Sequence, residues 1–205
     1  MEKEEKRHRL LGATAIAARY CVTVENAAES DERDFIKEIL QLLPRLYLEF
    51  SQPLDDEVAD NDDSDNLTPE GEEDAADGFD DEDLDLDGYV SLEEEGTSTY
   101  YANYVDEDYY ESVRRHIEGL LGPDDVFLET FEEDMKYSDT PIAASVAECL
   151  ADIFQPLYNF ISVVKETDGD ELEGAYRECH ENFVAYWSQT LCNVLRALNN
   201  IYYKA

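Results

Sequence analysis

The sequence predicts an all-α fold, an antiparallel bundle of about five helices with a long acidic insertion between the second and third. Three observations predict it. Apolar residues recur at three- and four-residue spacing on both sides of the chain's middle. Capping and turn residues punctuate those stripes at Ser30-Asp31, Gly122-Pro123 and Thr167 to Asp170. The middle itself is a solvated polyanion: residues 55–113 hold 25 acids and no base, out of 52 acids and 15 bases in the whole chain. With 205 residues, 43% hydrophobic and 11% aromatic, the remainder can bury one domain's core against chain entropy.

The first helix is expected over Leu11 to Ala28, where Ile16, Tyr20, Val24 and Ala27 share a face. Ser30 or Asp31 caps the second. Its stripe runs Phe35, Ile36, Ile39, Leu42, Leu43, Leu46, Tyr47 and Phe50, and Pro44 should kink it by removing the donor for residue 40. Helical spacing returns at Tyr109, Val113, Ile117, Leu120 and Leu121, and stops at Gly122-Pro123. Val126, Phe127, Leu128 and Phe131 fit an extended connection at least as well as a helix.

The fourth helix is expected to open at Ser138-Asp139-Thr140, ahead of Pro141. It carries Val146, Cys149, Leu150, Ile153, Leu157, Phe160, Ile161 and Val164, with a bend at Pro156. A single long last helix follows, with Leu172, Tyr176, Cys179, Phe183, Trp187, Leu191, Val194, Leu198 and Ile201 on one face. The chain thus reads as one helical domain over residues 1–205, with residues 55–99 as its acidic insertion.

A formal charge of -37 excludes several function classes. Nucleic acid and anionic lipid repel such a surface, and no run approaches the roughly 20 apolar residues of a membrane span. Cys21, Cys149, Cys179 and Cys192 stand singly, without zinc-site spacing, and are expected as buried thiols in a reducing cytoplasm. Three glutamates ahead of the weakly apolar Leu10 to Ala18 argue against an export signal.

The stretches AECLADIFQPLYNFI (147–161) and FVAYWSQTLCNVLRALN (183–199), with YCVTVENA and DFIKEILQLLPRLYLEF upstream, resemble a bacterial all-helical family of unknown function found in Bacteroidetes and Proteobacteria. The resemblance covers most of the chain outside the acidic segment and includes no catalytic signature. In that pattern a histidine commonly precedes the tryptophan and a glycine follows it; here these positions are Tyr186 and Ser188. The resemblance implies a small cytoplasmic helical domain with no assigned activity, and any chemistry of that histidine would be lost here.

Asp83, Asp85, Asp87, Gly88, Tyr89, Val90, Ser91 and Glu94 match a twelve-residue calcium loop at its key positions. Side chains of Asp83, Asp85, Asp87 and Glu94, the Tyr89 carbonyl and a water held by Ser91 would supply the six to eight oxygens that calcium takes. Calcium is the one cofactor the spacing suggests. Against it, acids fill about half of this neighbourhood, so composition alone produces such spacings. Gly78, Gly96 and Thr97-Ser98-Thr99 also interrupt the helices that such a loop normally joins.

Tyr100, Tyr101, Tyr104, Asp106, Asp108 and Tyr109 combine aromatic area with acids, the composition of a surface that engages a basic protein. The competing account has half of these tyrosines packing the acidic arm onto the bundle.

Enzyme signatures are thin. His8, His116 and His180 lie beside no nucleophile motif, and no GxSxG, phosphate-cradling glycine loop or HExxH occurs. Glu173, Glu178 and Glu181 neighbour His180 in sequence alone. The function expected is a non-catalytic interaction module that binds a basic protein surface, with no nucleic acid and no membrane partner. The alternative is a small metal-dependent hydrolase, which requires inward-facing Asp, Glu or His in the bundle cleft; a closed apolar core favours the interaction module.

Overall fold

The computed structural model describes residues 2–52, 54, 103–129 and 142–204, which belong to one compact unit formed by residues 1–56 and 100–205. The expected insertion, residues 55–99, lies outside the described residues. Within them the all-α expectation holds: helices α1 (Glu2–Glu25), α2 (Glu32–Phe50), α3 (Glu107–Leu121), α4 (Val146–Glu166), α5 (Leu172–Asn182) and α6 (Ser188–Tyr203) carry the fold. A π-helical segment, Phe183–Trp187, joins α5 to α6 without a break, so these form one rod and the bundle has five.

Helix α4 is the hub, because its apolar residues are spread round most of its circumference. Val146, Ala147, Leu150, Ala151, Ile153, Phe154, Leu157, Phe160 and Val163 are all buried, and α1, α3, α5 and α6 pack against them. Helix α1 approaches through a stripe with small members, Leu10, Ala13, Ala17, Tyr20, Cys21 and Val24. The fully buried Tyr20 hydroxyl donates to the Leu150 carbonyl at 2.8 Å, which satisfies the one polar atom that stripe buries.

Helix α2 starts as its sequence predicts. Asp31 accepts from the N–H groups of Arg33 and Asp34, and the helix runs on through Pro44. Helix α3 is capped by Asp106, which accepts from Tyr109 N–H, and ends at Gly122, whose φ of 51° suits a residue without a Cβ.

Helix α4 does not open at Ser138 to Thr140, residues that lie outside those described. Ile142–Ser145 instead forms strand β2, antiparallel to β1 (Val126–Glu129), with Val126 opposite Ser145 and Glu129 opposite Ile142. The extended reading of 126–128 is therefore correct. The helix begins one residue after Ser145, whose hydroxyl accepts from Glu148 N–H. Ser145-Val146-Ala147-Glu148 has the Ser-x-x-Glu spacing of a helix start, and β pairing of 142–145 fixes the chain up to that point.

The four cysteines are free thiols. Cys21 and Cys179 are buried and Cys149 is half-buried, whereas Cys192 is exposed, because it sits one residue past the buried Leu191 on the polar side of α6. No helix among the described residues is long and apolar enough to cross a membrane.

Candidate functional site

The calcium-loop residues Asp83, Asp85, Asp87, Tyr89, Ser91 and Glu94 lie outside the described residues, as do Tyr100 and Tyr101. The rest of the tyrosine-acid set is placed, and most of it serves the fold. Tyr104 donates its hydroxyl to Glu166 at 2.6 Å, and its N–H is held by Asn159 at 2.9 Å. Asp106 caps α3. Tyr109 is half-buried between Phe154 and Tyr158, edge-on to both, and its hydroxyl donates to Glu25. Burial, then the bonds to Glu25 and Tyr158, hold its pKa well above the usual range. Asp108 stays exposed.

The residues around His180 divide in the same way. Its Nδ1 stands 2.7 Å from the Phe50 carbonyl, which can only accept, so that nitrogen carries the proton. The ring stacks between Tyr176 and Phe183 and clamps the end of α2 to α5. Glu173 is engaged by Lys6 at 3.0 Å, and Glu181 is exposed. Only Glu178 faces a cavity.

That cavity is a cleft of about 330 Å³ between α4 and the α5–π rod. Its polar walls are Asn103, Asp152, Gln155, Asn159, Glu178, Asn182 and Tyr186. Among the described residues no Lys, Arg or His lines it. Asp152 is its fixed point: Oδ1 accepts from the Tyr110 hydroxyl at 2.6 Å and Oδ2 from the Tyr186 hydroxyl at 2.8 Å. Burial, then the bond to Asp152, pushes the Tyr186 pKa up to about 12 and that of Tyr110 higher still. Both phenols are therefore donors at neutral pH, never bases.

Glu178 has its pKa raised, first by burial and then by Glu181. The Cys179 thiol on the same wall is far from reactive, because burial first and Glu178 second push its pKa up beyond the thiol range.

Both walls carry a backbone irregularity. Pro156 has no N–H, so the Asp152 carbonyl, four residues earlier, receives no helical donor there. Tyr186 reaches Asp152 from the π-helical turn, a type of segment found frequently at functional sites. Sequence reading singled out Glu178 and Tyr186 for other reasons and passed over Asp152; its only signal was a proline four residues downstream.

Among the described residues no group of three His, Cys, Asp or Glu could hold a metal ion. Among the described residues the buried polar ones are Asp125, Glu129 and Asn193, set in a core that is otherwise apolar.

Among curated proteins nothing matches the chain. The crystal structure of protein BF1032 from Bacteroides fragilis is similar to it, at 24% identity and a TM-score of 0.64, over 96% of this chain and 94% of that one; the likeness shows the fold. Residues 10–204 match the family described as Domain of unknown function (DUF5063), and with nearly its whole length so covered the chain belongs to that family.

Proposed function

We propose that the protein is a non-catalytic interaction module of a reducing cytoplasm that binds a basic protein surface through its acidic insertion. One observation carries this: a charge of -37, with no base between Arg45 and Arg114, on a chain that also folds an apolar core. A field of one sign over such a length attracts and orients a basic partner and repels acidic ones. The four free thiols suit the compartment. Tyr100, Tyr101 and Asp108 are the contact residues favoured, since Tyr104, Asp106 and Tyr109 already serve the fold.

The test is calorimetric titration of the full chain with a Lys- and Arg-rich peptide at two salt concentrations. Affinity should fall with salt and fall further in Tyr100→Ser with Tyr101→Ser, which keep the charge unchanged. Equal affinity of that variant would reduce the binding to unspecific attraction and overturn the proposal. A second reading, favoured by the spacing of Asp83, Asp85, Asp87 and Glu94, adds a calcium ion to the insertion.

A further inference from the structure

The cleft beside Asp152 is a built cavity, and its walls set the charge of what can enter it. A volume of about 330 Å³ falls at the lower end of small-ligand sites, which span about 300–1,000 Å³. Its ionisable walls are the carboxylates of Asp152 and Glu178, the phenol of Tyr186 and the thiol of Cys179; its neutral walls are the amides of Asn103, Gln155, Asn159 and Asn182. Gln155 and Asn182 offer a carbonyl oxygen as well as an NH₂ group, whereas the Asn159 oxygen already accepts from Tyr104 N–H, and the Asn103 oxygen from Val105 N–H and the Asn159 amide. The two Asp152 oxygens each accept one tyrosine hydroxyl, which leaves further lone pairs on both, since an ionised carboxylate accepts about four bonds.

The two phenols orient this carboxylate without neutralising it. Among the described residues no cation shares an ion pair with Asp152 or Glu178. The floor is apolar, made by Phe160, Val163 and Ala175. An anion entering here would meet two carboxylates with no compensating base, and an apolar ligand would strip water from seven polar side chains. The group that gains is a compact cation with several donors and a short aliphatic stem.

We infer that this cleft binds one guanidinium or ammonium head group, the stem lying on Phe160 and Val163 and the donors shared by Asp152, Glu178 and the wall amides. This rests on the proposed function to the extent that the natural source is an Arg or Lys side chain of the basic partner. The alternative source is a free small amine. A guanidinium is the better fit, because it presents five donors in a plane to acceptors on two facing walls, whereas an ammonium presents three from one point.

The test uses the full chain and two small probes, ethylguanidinium and ethylammonium, at constant ionic strength. In ¹H–¹⁵N spectra, amides of residues 152–160 and 175–186 should shift together and saturate. Ethylguanidinium should bind several-fold tighter. Glu178→Gln should weaken binding about tenfold, while the exposed Glu29→Gln, outside the cleft, should leave it unchanged. Because Asp152→Asn also disturbs two tyrosines, the second variant is Gln155→Lys, which places an ammonium in the cleft. It should abolish probe binding and raise the melting temperature.

Shifts spread over the whole acidic surface, or binding by Gln155→Lys equal to the wild type, would overturn the inference. The same variants are then titrated with the Lys- and Arg-rich peptide. Peptide binding that Glu178→Gln and Gln155→Lys leave intact assigns the site to a free amine and leaves the interaction module standing; probe binding without peptide binding leaves the cleft standing and removes the module.

Discussion

Asp125 and Ser145 are joined across the base of the β-hairpin: Oδ2 of Asp125 accepts from the Ser145 hydroxyl at 2.7 Å, while Oδ1 accepts from Ala147 N–H, also at 2.7 Å. One buried carboxylate thus fixes the serine that caps α4 and satisfies a free N–H of the helix's first turn. Asp125→Ala leaves that buried N–H without a partner and releases the cap. It should cost about 2 kcal/mol, read as a lower urea midpoint with an unchanged slope. A loss confined to the few tenths of a surface substitution would contradict the capping role.

The end of α2 is held by Tyr176. Its hydroxyl stands 2.6 Å from the Glu49 carbonyl and 3.0 Å from that of Gln52, and its ring stacks on Phe50 with centroids 5.3 Å apart. Tyr176→Phe keeps the stack and leaves the two carbonyls one donor short. The expected cost is about 1 kcal/mol in chemical denaturation. Hydrogen exchange should rise at residues 47–52 before it rises elsewhere, since these are the backbone groups released.

Stability should fall on the alkaline side. Burial pushes Tyr176 and Cys149 up to about 12, and Tyr186 likewise, with its bond to Asp152 the next cause. A raised folded pKa means that the unfolded chain loses its protons first. The contribution is therefore complete below the unfolded values, about 8.5 for Cys and 10 for Tyr, and is lost as pH rises through the folded ones. Urea midpoints measured from pH 8 to 11 should drop, and Tyr176→Phe should flatten the upper part of the curve. A midpoint constant over that range would refute the assignment.

How much of this was legible in the sequence differs by element. The stripes of α2 and α3 and most of that of α4 were, because the buried positions there, Ala147 and Ala151 apart, are large aliphatics and aromatics at fixed spacing. The face of α1 was only half legible: Ala13 and Ala17 are fully buried yet carry little hydrophobic signal. The start of α4 was misplaced because a strong local cap signal at 138–141 competed with a long-range pairing, β1 with β2, that local spacing does not report. The π turn at Phe183–Trp187 left no mark, since one residue added per turn barely shifts a stripe that continues from Cys179 through Phe183 and Trp187 to Leu191. The cleft was not legible for the same reason as the hairpin: Tyr110, Asp152 and Tyr186 meet from three elements.

Trp187 is the only tryptophan and is fully buried, edge-on to Phe50 and Phe183. Its indole N–H has no acceptor among the described residues. Trp187→Ala opens a large cavity beneath the π turn and should cost about 3–5 kcal/mol. Trp187→Phe loses less volume and also removes the unsatisfied donor, so about 1–2 kcal/mol is expected. Equal losses in thermal unfolding would mean that the volume filled by the indole does not set the stability of this part of the core.

Calcium is the prediction on which the insertion's role turns. A loop of Asp83, Asp85, Asp87, Tyr89, Ser91 and Glu94 that encloses one ion should show a single site in calorimetric titration, with Kd in about the micromolar range of sensor loops. Asp83→Ala with Glu94→Ala removes the first ligand and the bidentate one, and should abolish that site. The same pair removes only two of 52 acids, so cation condensation on the polyanion would hardly change. A titration of weak, multiple sites that the double variant leaves as it was would therefore assign the spacing to composition, and the insertion would act by charge and tyrosine contacts without a metal.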